Sequence, residues 1–221
     1  EKGTLDKYEG DAIIAFFGAP MKFADNAVRA CRVSIKMQNA LLDLRKKWKS
    51  EMSDESRNTK KLSAEHWTPG DKWPKIVHDM RMRIGINTGE IVTGNMGSKM
   101  RMNYTMMGDS VNLAARLESG AKQYGVFTLI SEMTYKHSFV DENGETHQVS
   151  DFFEVRFLDR LTVVGKSEPV AVYELISLKG ELTENEKKLL PLFNKAMKLY
   201  QETQWDEARE LFLEASKVER F

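Results

Sequence analysis

Apolar and polar positions change period several times along the chain, and each change marks a predicted element. Residues 3–18, GTLDKYEGDAIIAFFG, predict a β-hairpin: extended residues meet at the turn signal Glu9-Gly10-Asp11, and AIIAFF continues as a buried strand. Past Pro20 the period becomes helical. In DNAVRACRVSIKMQNALLDL, the residues Val28, Cys31, Ile35 and Leu42 share one stripe, and Asp25 stands at the N-cap. A free cysteine on such a stripe behaves as a small core hydrophobe. Residues 45–75 lose the periodicity, mix both signs of charge and end on Pro and Gly signals, which predicts a long, mobile, solvated surface insertion.

The second half is richer in strands. Residues 82–87 alternate into a strand that Gly89 breaks. EIVTG resumes an extended path, with Gly94 and Gly97 flanking a tight turn, and NYTMMG leads into a turn at Asp109. A helix follows from Ser110 to about Gln123, then the strand FTLIS, then FFEVRFLDRLTVV and EPVAVYELI joined at Gly165-Lys166-Ser167. Hairpins without βαβ regularity predict an α+β fold with a mainly antiparallel sheet covered by helices. Residues 184–219 are charged and helical, broken near Thr203-Gln204. Their Ala196, Leu199, Ala208, Phe212 and Ala215 stand at the spacing of one tetratricopeptide repeat. A single repeat cannot bury its own apolar face, so this hairpin must continue, dock on the first domain or pair in a dimer. The predicted boundaries are 1–178 and 179–221.

Composition narrows the function classes. The chain has 221 residues, 41% of them hydrophobic, with 33 basic and 33 acidic side chains, so no whole-chain field draws it to nucleic acid or membrane. The lone Cys31 allows no internal disulfide and suits a reducing, cytoplasmic compartment. No apolar run is long enough to span a bilayer. The chain begins at Glu1, which predicts a piece of a longer protein whose upstream part could carry a membrane anchor.

Candidate chemistry gathers at two places. Asn112 and Arg116 are four residues apart and project from one side of the predicted helix, with Thr105 just ahead. An amide and a guanidinium there suit a ribose and a phosphoryl group, and an exposed face with a salt bridge explains them equally well. Lys7 and Asp11 flank the first hairpin turn. Asp11 is a turn former on one reading and a hard-oxygen Mg²⁺ ligand at the rim of a sheet on the other.

Three blocks, TLDKYEGDAIIAFFGAP, MRIGINTGEIVTGNMGS and YTMMGDSVNLAARLE, together resemble the class III nucleotidyl cyclase catalytic domain over most of residues 1–178. The resemblance implies a ferredoxin-like α+β fold working as a head-to-tail homodimer, with each active site shared at the interface. It implies that Asp11 is the second of two metal-binding aspartates for two Mg²⁺ or Mn²⁺ ions. It also implies that Lys7 and Thr105 read the purine edge, that Asn112 orients the ribose, and that Arg116 contacts the phosphates in the transition state. Lysine can only donate, which suits adenine N1, while threonine can accept from the N6 amino group; guanine offers a donor at N1. ATP is therefore expected over GTP. The implied reaction is attack of the ribose 3′-hydroxyl on the α-phosphorus, with pyrophosphate leaving. The runner-up readings are a guanylyl cyclase and a degenerate cyclase-like module used for nucleotide binding or dimerisation. The helical tail is a candidate contact for a further protein.

Two departures bear on activity. The family's other metal aspartate lies on a strand upstream of this hairpin, so the residues of this chain cannot complete a two-metal site, and the fragment alone is expected to be weak or inactive. The last hairpin, where the family often has Lys-Gly-Lys on the triphosphate, has Val164-Gly165-Lys166, which leaves Lys166 alone to reach a phosphate. Gly165-Lys166-Ser167 is no P-loop, because Arg160 stands where the first glycine belongs. His66, His78, His137 and His147 have no metal or triad spacing and are expected in loops or at the surface.

Overall fold

A computed structural model describes residues 1–53, 79–162 and 168–219. Strands β1 (Thr4–Glu9) and β2 (Ala12–Phe16) form the first hairpin and are followed by helix α1 (Asn26–Ser53). After β3 (Ile84–Ile86) come the hairpin β4 (Val92–Ser98) and β5 (Arg101–Met107), helix α2 (Asp109–Tyr124) and β6 (Thr128–Ser131). The short helix α3 (Glu132–Tyr135), the small hairpin β7 (Ser138–Val140) and β8 (Thr146–Gln148), and the long strands β9 (Phe153–Leu161) and β10 (Val170–Leu178) follow. Helices α4 (Glu184–Gln201) and α5 (Trp205–Val218) close the described chain. The architecture is α+β with a C-terminal helical hairpin, as expected.

The central sheet runs β3-β6-β10-β9. Only its β3–β6 pair is parallel; the others are antiparallel. Successive strand residues face opposite ways, and each face has its own helix. Leu113, Leu117 and Ala121 of α2 pack with Leu129, Leu158, Val170 and Val172. On the other face, Ala27, Val28 and Cys31 of α1 pack with Ile86, Ile130, Phe153 and Leu175. Double coverage explains why all four residues of β6 are buried.

Four local expectations are corrected. AIIAFF is not a buried strand: Ile13 is 53% exposed, because β2 pairs only with β1 among the described residues and no helix covers the hairpin. Leu42 is exposed rather than on the core stripe. The packed stretch of α1 ends near Gln38, whose amide donates to the Met82 carbonyl at 3.0 Å, and the helix then outruns the sheet. Residues 45–53, expected in the insertion, continue α1, and the remainder of that expectation, 54–75, lies outside the described residues. Gly94 and Gly97 lie inside β4, and the chain turns at Lys99-Met100 instead.

The helical hairpin packs against the α2 side of the sheet. Thr183 opens α4 with a reciprocal cap, its hydroxyl accepting from the Glu186 N–H and its own N–H donating to the Glu186 carboxylate. Phe193 packs against the α2-side core and meets Phe212 of α5 edge-on, ring centres 5.4 Å apart. Arg156 of β9 is almost fully buried between the two parts. It donates to Glu174 at 2.8 Å and to Glu219 at 2.6 Å, and stacks over the Phe193 ring at 4.5 Å.

Candidate active site

The first hairpin turns through two residues, Gly10 and Asp11, between the paired Glu9 and Ala12. Gly10 takes a φ of 63°, the left-handed value that the tight hairpin turns need and glycine supplies without strain. Asp11 therefore sits exposed at the hairpin tip.

Ahead of the turn, β1 is irregular. Leu5 pairs with Ala15 and Lys7 with Ile14, so Asp6 is an extra residue without a cross-strand partner, a β-bulge. Bulges break the alternation of side chains and re-aim one of them. Here the Asp6 carboxylate turns inward, with its side chain only 2% exposed, while the Lys7 ammonium stands 3.7 Å from its Oδ2. The second hairpin meets this point from the other side. Thr105 of β5 donates its hydroxyl to the same Asp6 Oδ2 at 2.9 Å, and the Phe16 and Tyr104 rings lie 6.0 Å apart alongside. The structure thus brings Lys7 and Thr105 together, and does so through Asp6, a residue that sequence reasoning missed. The only signal was an acidic residue inside a strand, and the bulge that redirects it leaves no periodic trace.

Helix α2 carries Asn112 and Arg116 on its exposed side, while Leu113 and Leu117 bury the other. Neither Asn112 nor Arg116 has a side-chain hydrogen bond or ion-pair partner among the described residues. The helix is held hard against the sheet. A β-carbon on Gly85 of β3 would lie 2.2 Å from the Ala114 carbonyl oxygen and 2.3 Å from the Glu118 nitrogen. Asn87 donates to the Ser110 carbonyl at 3.0 Å, fixing the first turn. Lys166 lies outside the described residues.

For metal binding, Asp11 offers a hard oxygen donor at an open position. Among the described residues it belongs to no group of three ligating side chains. The one such group is Asp141, Glu145 and His147 on the β7–β8 hairpin. His147 therefore has acidic neighbours that its sequence spacing did not announce. Asp141 already accepts from the Asn143 and Glu145 N–H groups and meets His147 Nε2 at 3.2 Å, and these bonds hold its carboxyl below the usual range. That arrangement is accounted for as the internal bonding of a turn.

Known proteins share this framework. The family model for the adenylate and guanylate cyclase catalytic domain matches residues 6–175. The terminal-differentiation-specific adenylate cyclase of Dictyostelium discoideum is 32% identical over 216 residues, 95% of this chain and 8% of its own length. Adenylate cyclase 1 of Rhizobium meliloti is 28% identical over 80% of the chain and 21% of its own, and the Anabaena cylindrica adenylate cyclase 32% over 78% and 28%. The chain thus spans under a third of the length of each of these relatives. Among solved structures, the adenylyl cyclase CyaB from P. aeruginosa superposes with a TM-score of 0.57 at 30% identity, covering 82% of this chain and 75% of that one. The guanylyl cyclase Cya2 gives 0.56 at 28% identity, covering 82% and 73%. With a family match over residues 6–175, a span that includes Lys7, Asp11, Thr105, Asn112 and Arg116, the chain belongs to the adenylate and guanylate cyclase catalytic domain family.

Proposed function

We propose that this domain is the catalytic part of an adenylyl cyclase, converting ATP to cyclic AMP and pyrophosphate. The observation that carries the choice of ATP is the convergence of Lys7 and Thr105 on Asp6. Lys7 donates to adenine N1, and Thr105 accepts from the N6 amino group. Similarity alone does not choose, since an adenylyl and a guanylyl cyclase superpose almost equally well.

In the proposed reaction the ribose 3′-hydroxyl gives up its proton to solvent, its oxygen forms a bond to the α-phosphorus, and the bond from that phosphorus to the pyrophosphate oxygen breaks. Asn112 orients the ribose by donating to and accepting from its oxygens. Arg116 presents its fork of donors to the phosphoryl oxygens, where negative charge grows. Lys166 neutralises the departing phosphates. Asp11 would hold Mg²⁺ or Mn²⁺, an ion that acidifies the attacking hydroxyl and stabilises the leaving group when bound. Positioning and charge stabilisation carry most of such a reaction.

The site is proposed to be shared between two copies of the chain. Asp11, Lys7, Asn112 and Arg116 are all exposed. The β4–β5 hairpin beside them bears Val92, Met100, Met102 and Met107 on open surface, Met100 being 97% exposed. Apolar side chains concentrated on one hairpin suit burial against a partner.

The test is product formation by the full-length protein with ATP and Mn²⁺. Cyclic AMP and pyrophosphate are expected in equal amounts. In the Arg116→Ala variant, turnover is expected to drop about 10²–10³-fold with KM nearly unchanged, the signature of an interaction made chiefly in the transition state. Unchanged turnover would remove Arg116 from its role, and ATP binding without any cyclic product would favour a non-catalytic module.

A further inference from the structure

We infer that Asp6 determines base specificity by fixing the hydrogen-bond polarity of Thr105. The inference rests on the reading above, in which Lys7 and Thr105 face the purine edge. A threonine hydroxyl has one proton and two lone pairs, so alone it is ambivalent. It accepts from the N6 amino group of adenine or donates to the O6 carbonyl of guanine with equal ease. In this structure the proton is already committed, since Thr105 Oγ1 donates to Asp6 Oδ2 at 2.9 Å. A carboxylate is acceptor-only and has no proton to give back. Only lone pairs are left for the base, so an amino group is matched and a carbonyl meets another acceptor.

Two further observations separate this role from a structural one. Asp6 Oδ1 is buried and has no hydrogen-bond partner. Burying a carboxylate with one oxygen unsatisfied costs stability, and an apolar residue would serve packing better at a 2% exposed position. In addition, Asp6 reaches Thr105 only because β1 carries a bulge at that residue. With Asp6 turned inward, Lys7 keeps nearly half its side chain exposed, with its ammonium 3.7 Å from the shared carboxylate oxygen. Lys7 and the Asp6-bound Thr105 thus make one donor and one enforced acceptor, the complement of the adenine edge.

The test is Asp6→Asn in the full-length protein, with kcat/KM measured for ATP and for GTP. Asparagine keeps the shape and can donate from its amide to Thr105 Oγ1, which frees the threonine proton to turn toward a guanine O6. The ratio of ATP to GTP use is expected to fall about tenfold or more, the worth of one mismatched hydrogen bond. Thr105→Val should lower the ratio similarly, and adding Asp6→Asn to it should change the ratio no further, since Asp6 acts through the hydroxyl. Should the Asn variant not fold, Asp6→Ser gives the same readout without the acceptor-only group. A wild type that makes cyclic AMP while the Asp6 variants keep its ATP-to-GTP ratio overturns the role of Asp6 alone. So does an Asp6→Asn effect that persists undiminished when Thr105→Val is also present. A wild type that makes no cyclic nucleotide overturns the cyclase reading, and this inference with it.

Discussion

At position 85 the protein has no room for a methyl group. The β-carbon of any other residue would press into the backbone of α2 at 2.2 Å. Gly85→Ala must therefore push the helix away from β3, and overpacking of this kind costs about 1–3 kcal/mol. A lowered melting temperature is expected. Turnover is expected to fall by more than stability explains, because Asn112 and Arg116 ride on the displaced helix. Cys31 gives a second check at this scale. Burial pushes its thiol up to about 12, so it should stay unmodified by a thiol reagent at pH 8 in the native protein and react on unfolding. Its place in the core was legible from the helical stripe. Asn112 and Arg116 were legible for the same reason, since a spacing of four fixes a common face. Asp6 was not, because a bulge is a matter of pairing between strands and not of sequence period.

At the scale of elements, the helical hairpin is tied down by one buried cation. Arg156, with its side chain 4% exposed, spans Glu174 of β10, Glu219 after α5 and the Phe193 ring of α4. Arg156→Ala would strand Glu174 in the interior, and removing one partner of a buried pair costs about 3–5 kcal/mol. The expected outcome is early loss of the α4–α5 helix signal on heating. Burial also pushes the Glu174 carboxyl up, against the opposing pull of Arg156. A raised carboxyl binds its proton more readily folded than unfolded, so its cost to stability appears as the pH climbs above its ordinary value of 4.5. Wild type should thus lose stability relative to Glu174→Gln across that rise, a difference that thermal melts at pH 4 and pH 7 can measure. The existence of this hairpin was legible in its alanine and leucine spacing. Docking stood there as one of three outcomes, and the contact that makes it was not legible, because Arg156 and Glu174 look like ordinary outward strand residues until the tail covers them. The alignment with the Dictyostelium relative covers 95% of the chain, so it takes in at least part of this hairpin.

At the scale of the whole molecule, one sheet covered on both faces carries two hairpins that it does not cover. Residues such as Ile13, Tyr8, Met100 and Met102 are apolar and exposed there. The sequence pattern of AIIAFF announced a buried strand, and only the pairing pattern shows that the described chain does not bury it. Covering by a second copy predicts a dimer by light scattering, and the Met100→Asp and Met102→Asp double variant should shift it toward monomer and lower activity with it. Selection of ATP by the paired Lys7 and Thr105 is tested most directly by a competition: full-length protein, equal ATP and GTP, Mn²⁺, and the cyclic products separated and quantified. Cyclic AMP in large excess is the predicted result. Cyclic GMP as the main product would contradict the assignment of Lys7 and Thr105 as readers of adenine.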